Sequence, residues 1–87
     1  MKTKYKYIQD PSHGWLEVTR GEVNRLGIGS KISPFSYQKG ENCYLEEDCD
    51  MYEFIQAKKA QGEAYELHEI HQENTPIRNY QSYRGVI

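Results

Sequence analysis

At 87 residues the chain has room for one hydrophobic core, since a second would leave each half below the size that folds alone. A charged fraction of 28% and a mean hydropathy of −0.93 are polar, but 13% aromatic residues, mostly Tyr, exclude a disordered chain. The net charge of −2 splits into +4 over residues 1–40 and −6 over residues 41–87. Opposite halves of one fold satisfy such a split by facing each other, so it does not point to nucleic acid or membrane.

No apolar run approaches the ~20 residues of a bilayer span. The start MKTKYKYIQD is basic without an apolar stretch, which is not the pattern of a secretory signal. The expected location is the cytoplasm, where Cys43 and Cys49 are read as free thiols.

Lys4–Ile8 carries strand-forming Tyr5, Tyr7 and Ile8 and stops at the turn pair Asp10–Pro11. Gly14 then releases the chain into a second strand, Trp15–Val18. Thr19 and Glu22 fit a capping box, opening a short helix with Val23, Leu26 and Ile28 inward and Gly27 or Gly29 as its stop. After Ser33–Pro34 the chain extends. Strands Phe35–Gln38 and Asn42–Glu46 flank a turn at Lys39–Gly40–Glu41. That turn places Phe35, Tyr37, Cys43 and Leu45 on one face, and Ser36, Tyr44 and Glu46 on the other.

Asp48 or Asp50 is positioned to cap a second helix, in which Met51, Phe54, Ile55 and Lys58 form a buried stripe before Gly62. A last strand runs over Ala64–His71. Tyr65 and Leu67 share a parity that Ile70 breaks, which predicts a bulge near His68–Glu69 or the strand's end. The pattern is that of a single small α+β domain over residues 1–73, ordered β-β-α-β-β-α-β. A mostly antiparallel sheet carries both helices on one face. Residues 74–87 are expected as an extended tail packing on the domain or on a partner.

No complete catalytic motif is present. His13 in its turn has Asp10 as an orienting partner and Ser12, Cys43 or Cys49 as nucleophiles, but none has a supporting local motif, and turn chemistry explains the segment as well. His68 and His71 point to opposite faces of a strand, and Cys43 and Cys49 are spaced too widely for a zinc knuckle, so no metal or other cofactor is expected.

The run Glu46–Glu47–Asp48–Cys49–Asp50 suits a helix N-terminus, yet it holds more acids than capping needs. The excess suits a partner's basic surface. Lys2, Lys4 and Lys6 alternate along the first strand, either as a basic stripe or as protection of a sheet edge. Arg78, Tyr80, Tyr83 and Arg84 give the tail the residue types of interface anchors. By parity Trp15 and Tyr44 point away from the helices, where a partner or the tail itself must cover them.

The segments DPSHGWLEV, ISPFSYQ, YLEEDCDMYEF and PIRNY resemble a family of small uncharacterised bacterial proteins, often encoded by phages and plasmids. The resemblance supplies no catalytic residue. It implies an accessory protein of a mobile element, a type that acts by binding a host or phage protein.

The expected function is therefore a non-enzymatic protein-interaction module, an accessory or inhibitor protein. Its contacts are expected at Trp15, Tyr44, Glu46, Glu47, Asp48, Asp50, Arg78, Tyr80 and Tyr83. A nucleic-acid-associated protein using the N-terminal lysines and the tail is the second reading, and a small enzyme built on His13 and Cys49 the third. Self-association into a homodimer is compatible with so small a domain.

Overall fold

A computed structural model of the chain describes residues 3–84, so Lys2 of the basic stripe and positions 85–87 of the expected tail lie outside the described residues. Strand β1 (Thr3–Gln9) turns through residues 10–13 into β2 (Gly14–Thr19). The Asp10 carboxylate makes that turn by accepting the backbone N–H groups of Ser12 and His13 at 2.9 and 2.7 Å. Gly14 is required by a close approach: a Cβ there would stand 2.8 Å from the Tyr7 hydroxyl.

Helix α1 (Arg20–Arg25) begins at Thr19, whose Oγ1 accepts the Glu22 N–H at 3.2 Å. The return half of the capping box is missing, because the Glu22 carboxylate instead binds Tyr5, Arg25 and Lys58. Gly27, at φ 72°, supplies the left-handed residue that ends the helix. A 3-10 turn at Gly29–Lys31 leads to the hairpin of β3 (Tyr37–Lys39) and β4 (Asn42–Glu46). Helix α2 (Asp50–Ala60), β5 (Tyr65–His71), a 3-10 turn at Pro76–Asn79 and β6 (Gln81–Ser82) complete the chain. Among the described residues no helix is long and apolar enough to cross a membrane.

The strands form one six-stranded sheet in the order β5-β1-β2-β4-β3-β6, antiparallel except where β5 lies parallel to β1. A small single α+β domain with a mostly antiparallel sheet is thus what the sequence led us to expect. Several finer expectations are corrected. The first strand is not an edge, because β5 covers its outer side over the full register Thr3↔Tyr65 to Gln9↔His71. The same unbroken register leaves no bulge near His68–Glu69. Ile70 changes face because it belongs to a second apolar cluster, with Ile8.

The hairpin turn is shorter by one residue than expected. Lys39 pairs directly with Asn42, which places Tyr37 opposite Tyr44 and not with Cys43. One residue of slip exchanges the faces of a strand, so Tyr37 joins Tyr44's side. Phe35 falls outside the strand and is 73% exposed.

On one face, Leu16, Val18, Cys43 and Leu45 pack with Val23 of α1 and Phe54 of α2. Tyr5 meets Phe54 edge-on, with ring centroids 5.3 Å apart. Burying each such side chain contributes about 1.5–3 kcal/mol. The other face carries a smaller cluster of Ile8, Trp15, Tyr44 and Ile77. Ile77 comes from the 3-10 turn at Pro76–Asn79, so the segment expected as an extended tail carries a 3-10 turn and the short strand β6, and residues 75–83 lie against the sheet.

Lys58, the last member of the expected buried stripe, lies inside at 1% exposed. Its Nζ is 2.9 Å from Glu22 Oε2 and 3.0 Å from Glu63 Oε1, and Arg25 bridges the same two carboxylates. Burial lowers the Lys58 pKa, but its bonds to Tyr5, Glu22 and Glu63 outweigh that and hold it above the ordinary lysine value.

Candidate functional site

Four segments far apart in the chain converge on one cavity of about 360 Å³, lined by His13, Trp15, Phe35, Tyr37, Glu46, Asp48, Cys49 and Arg78. The β1–β2 turn and the start of β2 deliver His13 and Trp15, and the loop before β3 and the start of β3 deliver Phe35 and Tyr37. The end of β4 and the following turn deliver Glu46, Asp48 and Cys49. The 3-10 turn at Pro76–Asn79 delivers Arg78.

Trp15 organises this group. It is 2% exposed. The His13 ring stacks on it at 5.9 Å with planes 18° apart, the Arg78 guanidinium carbon sits 5.5 Å from its centroid, and Tyr37 meets it edge-on at 6.3 Å. Its indole Nε1 is buried and finds no acceptor among the described residues.

Arg78 is held on two sides. Nε and Nη2 reach Asp10 Oδ2 at 3.0 and 2.9 Å, and Nη2 also lies 2.9 Å from His13 Nδ1. Burial raises the Asp10 pKa, but the N–H groups of His13 and Ser12 and the Arg78 guanidinium prevail and bring it below the ordinary aspartate value. A guanidinium only donates, so His13 Nδ1 must accept and its ring proton resides on Nε2.

The four acids of residues 46–50 take separate paths. Asp50, 2% exposed, accepts bonds from Ser33 N, Ser33 Oγ and Ser36 Oγ. All three bonds fall on Oδ2 and turn the carboxylate away from the helix end, so neither it nor Asp48 caps α2, whose N-cap position, Cys49, makes no side-chain capping bond. Glu47 accepts from the Tyr7 hydroxyl, and burial together with this carboxylate pushes the tyrosine up to about 12. Only Glu46 and Asp48 remain at the cavity, and among the described residues neither forms an ion pair.

Of the expected contact residues, Trp15, Glu46, Asp48 and Arg78 therefore meet in one place. Tyr44 and Tyr80 pack on each other at 5.2 Å within the second cluster. Burial and Glu17 push Tyr44 up to about 12. Tyr83 is inside the first cluster, its hydroxyl donating to the Gly29 carbonyl at 2.8 Å. Burial thus removes Trp15, Tyr44, Asp50 and Tyr83 from the freely exposed surface. Phe35 and Tyr37 were not expected here, because the longer turn assigned them to the core. The available signal was Pro34, which breaks the strand before Phe35.

Neither thiol nor imidazole at the cavity is arranged as an activated nucleophile–base pair. Burial, Asp50 and Glu46 all push the Cys49 thiol up, the reverse of an activated nucleophile. The Nδ1 lone pair of His13 is already engaged by Arg78. Elsewhere, Lys4 stands opposite Glu66, and Lys6 lies between Glu17 and His68, so carboxylates face the basic stripe. Among the described residues no group of three or more His, Cys, Asp or Glu is placed to hold a metal ion. Compared with known proteins, the chain matches no protein-family model, no curated protein and no solved structure.

Proposed function

We propose that the protein is a non-enzymatic interaction module, a small accessory or inhibitor protein of a mobile element, which engages a protein partner through the cavity around Trp15. One observation carries the reading. Phe35 stands 73% exposed beside a cavity whose other aromatic residues, Trp15 and Tyr37, are buried or half-buried. An exposed large apolar side chain next to a pre-formed aromatic pocket with uncompensated charge has the composition of an interface centre. The two thiols, Cys43 and Cys49, suit a reducing compartment, and we place the module in the cytoplasm on that ground.

Affinity capture from a bacterial host extract tests this, using the wild type, Phe35→Ser, Asp48→Lys and Tyr52→Ser. Tyr52, 62% exposed on α2, is an exposed aromatic residue that does not line the cavity and serves as control. The wild type and Tyr52→Ser are expected to retain a partner that Phe35→Ser and Asp48→Lys lose. Retention of the same partner by all four proteins would show that the contact lies elsewhere.

A further inference from the structure

We propose that the cavity receives one cationic side chain, a lysine or arginine of the partner protein, between the rings of Phe35, Tyr37 and Trp15 and the carboxylates of Glu46 and Asp48. This rests on the reading of that cavity as the partner-binding surface. Three features of the site support it independently.

The first is size. At about 360 Å³ the cavity is near the lower end of the ~300–1,000 Å³ range of ligand clefts. It suits a single long side chain better than a folded element.

The second is charge. Arg78 is the lining residue of opposite sign, but Asp10 neutralises it at 2.9 Å. The His13 Nδ1 is already turned to Arg78, at 2.9 Å. Among the described residues the Glu46 carboxylate receives only the weak Cys49 thiol donor, at 3.6 Å, and neither it nor Asp48 has a counter-ion beside the aromatic rings.

The third is that the molecule already performs this chemistry on itself. The Arg78 guanidinium lies 5.5 Å from the Trp15 ring centroid, within cation–π range. An incoming cation would use the same kind of attraction at Phe35 and Tyr37. The carboxylates would then set the sign of charge that is accepted.

Short peptides Ac-Gly-Leu-Xaa-Leu-Gly-amide, with Xaa arginine, lysine, glutamine or glutamate, test the assignment against the whole chain. Trp15 is the chain's one tryptophan, so its fluorescence reports on this site alone. Backbone amide shifts locate the contact. The arginine and lysine peptides are expected to saturate at millimolar concentration or below, shifting amides of residues 13–15, 35–37 and 46–49. Binding should weaken about three- to tenfold in Glu46→Gln/Asp48→Asn, and also in the wild type when salt rises from about 0.05 to 0.5 M.

Equal binding of the glutamine peptide, or no saturable binding of any peptide, would overturn the inference. Preference for the glutamate peptide would overturn it too, by making Arg78 and His13 the charge readers. Partner capture that depends on Phe35, without any preference for cationic peptides, would sink this inference while leaving the interaction-module reading standing. The wild-type salt dependence keeps the test decisive should the double variant fail to fold.

Discussion

Arg78 Nη2 lies 2.9 Å from His13 Nδ1, joining residues 65 positions apart in the chain and tying the C-terminal segment to the β1–β2 turn. The contact specifies a tautomer, because the guanidinium has no acceptor to offer. Ring 15N shifts of His13 at neutral pH should show the proton on Nε2, and a proton on Nδ1 would contradict the geometry.

Arg78 also holds Ile77 and Tyr80 over the second cluster. Arg78→Ala should cost about 1 kcal/mol of stability, the scale of an exposed charge-assisted bond. It should also speed hydrogen exchange at the Tyr80 amide, which donates to the Ile77 carbonyl. Unchanged exchange there would mean that apolar packing alone holds the segment.

Trp15 and Phe35 should respond in opposite ways. Trp15→Ala empties the centre of the second cluster and should cost about 3–5 kcal/mol, enough to compromise a domain of this size. Trp15→Phe should cost much less, since it also removes a buried N–H that has no acceptor among the described residues. Phe35→Ser should change stability by less than about 0.5 kcal/mol. Urea unfolding of the three variants checks the order, and it is why Phe35 rather than Trp15 is the residue to mutate in binding experiments.

The Lys58 cluster should set the acid limit of stability. Arg25 and Lys58 hold Glu63 down at about 2, and Glu22 also lies below its ordinary value of 4.5, where its bonds to Lys58, Tyr5 and Arg25 outweigh burial. Depressed carboxylates stabilise the fold above their unfolded pKa, and that contribution is lost as pH falls through the folded value. The urea midpoint should thus hold from pH 7 to about 5, then fall from about 4.5 toward 2. Lys58→Met should flatten this fall. Lys58→Ala should cost about 2–4 kcal/mol at neutral pH, moderated because Arg25 still pairs both carboxylates.

Gly14→Ala should destabilise by about 1–3 kcal/mol, since the added methyl would press on the Tyr7 ring at 2.8–3.1 Å. Adding Tyr7→Phe should recover part of that loss, because the hydroxyl is the nearest atom. A double variant no better than the single one would place the strain in the backbone instead.

Local signals were legible in the chain itself. Thr19 caps α1, Gly27 ends it, and the stripe from Met51 to Lys58 falls on one side of α2, because caps and helical periodicity act over a single turn of chain. His13 and Trp15 were visible as unusual residues, and the acids of 46–50 as an excess over capping.

Tertiary structure decided what those residues do. A turn one residue shorter moved Tyr37 to the face of Tyr44 and left Phe35 outside the strand. Pairing of β5 beside β1 removed a predicted edge and gave Lys4 a facing carboxylate. Ser33 and Ser36 drew Asp50 inward, while the 3-10 turn at Pro76–Asn79 brought Arg78 onto Trp15. Elements are written by neighbours three or four residues away, whereas strand order, turn register and the return of a distant segment depend on contacts that no local pattern encodes.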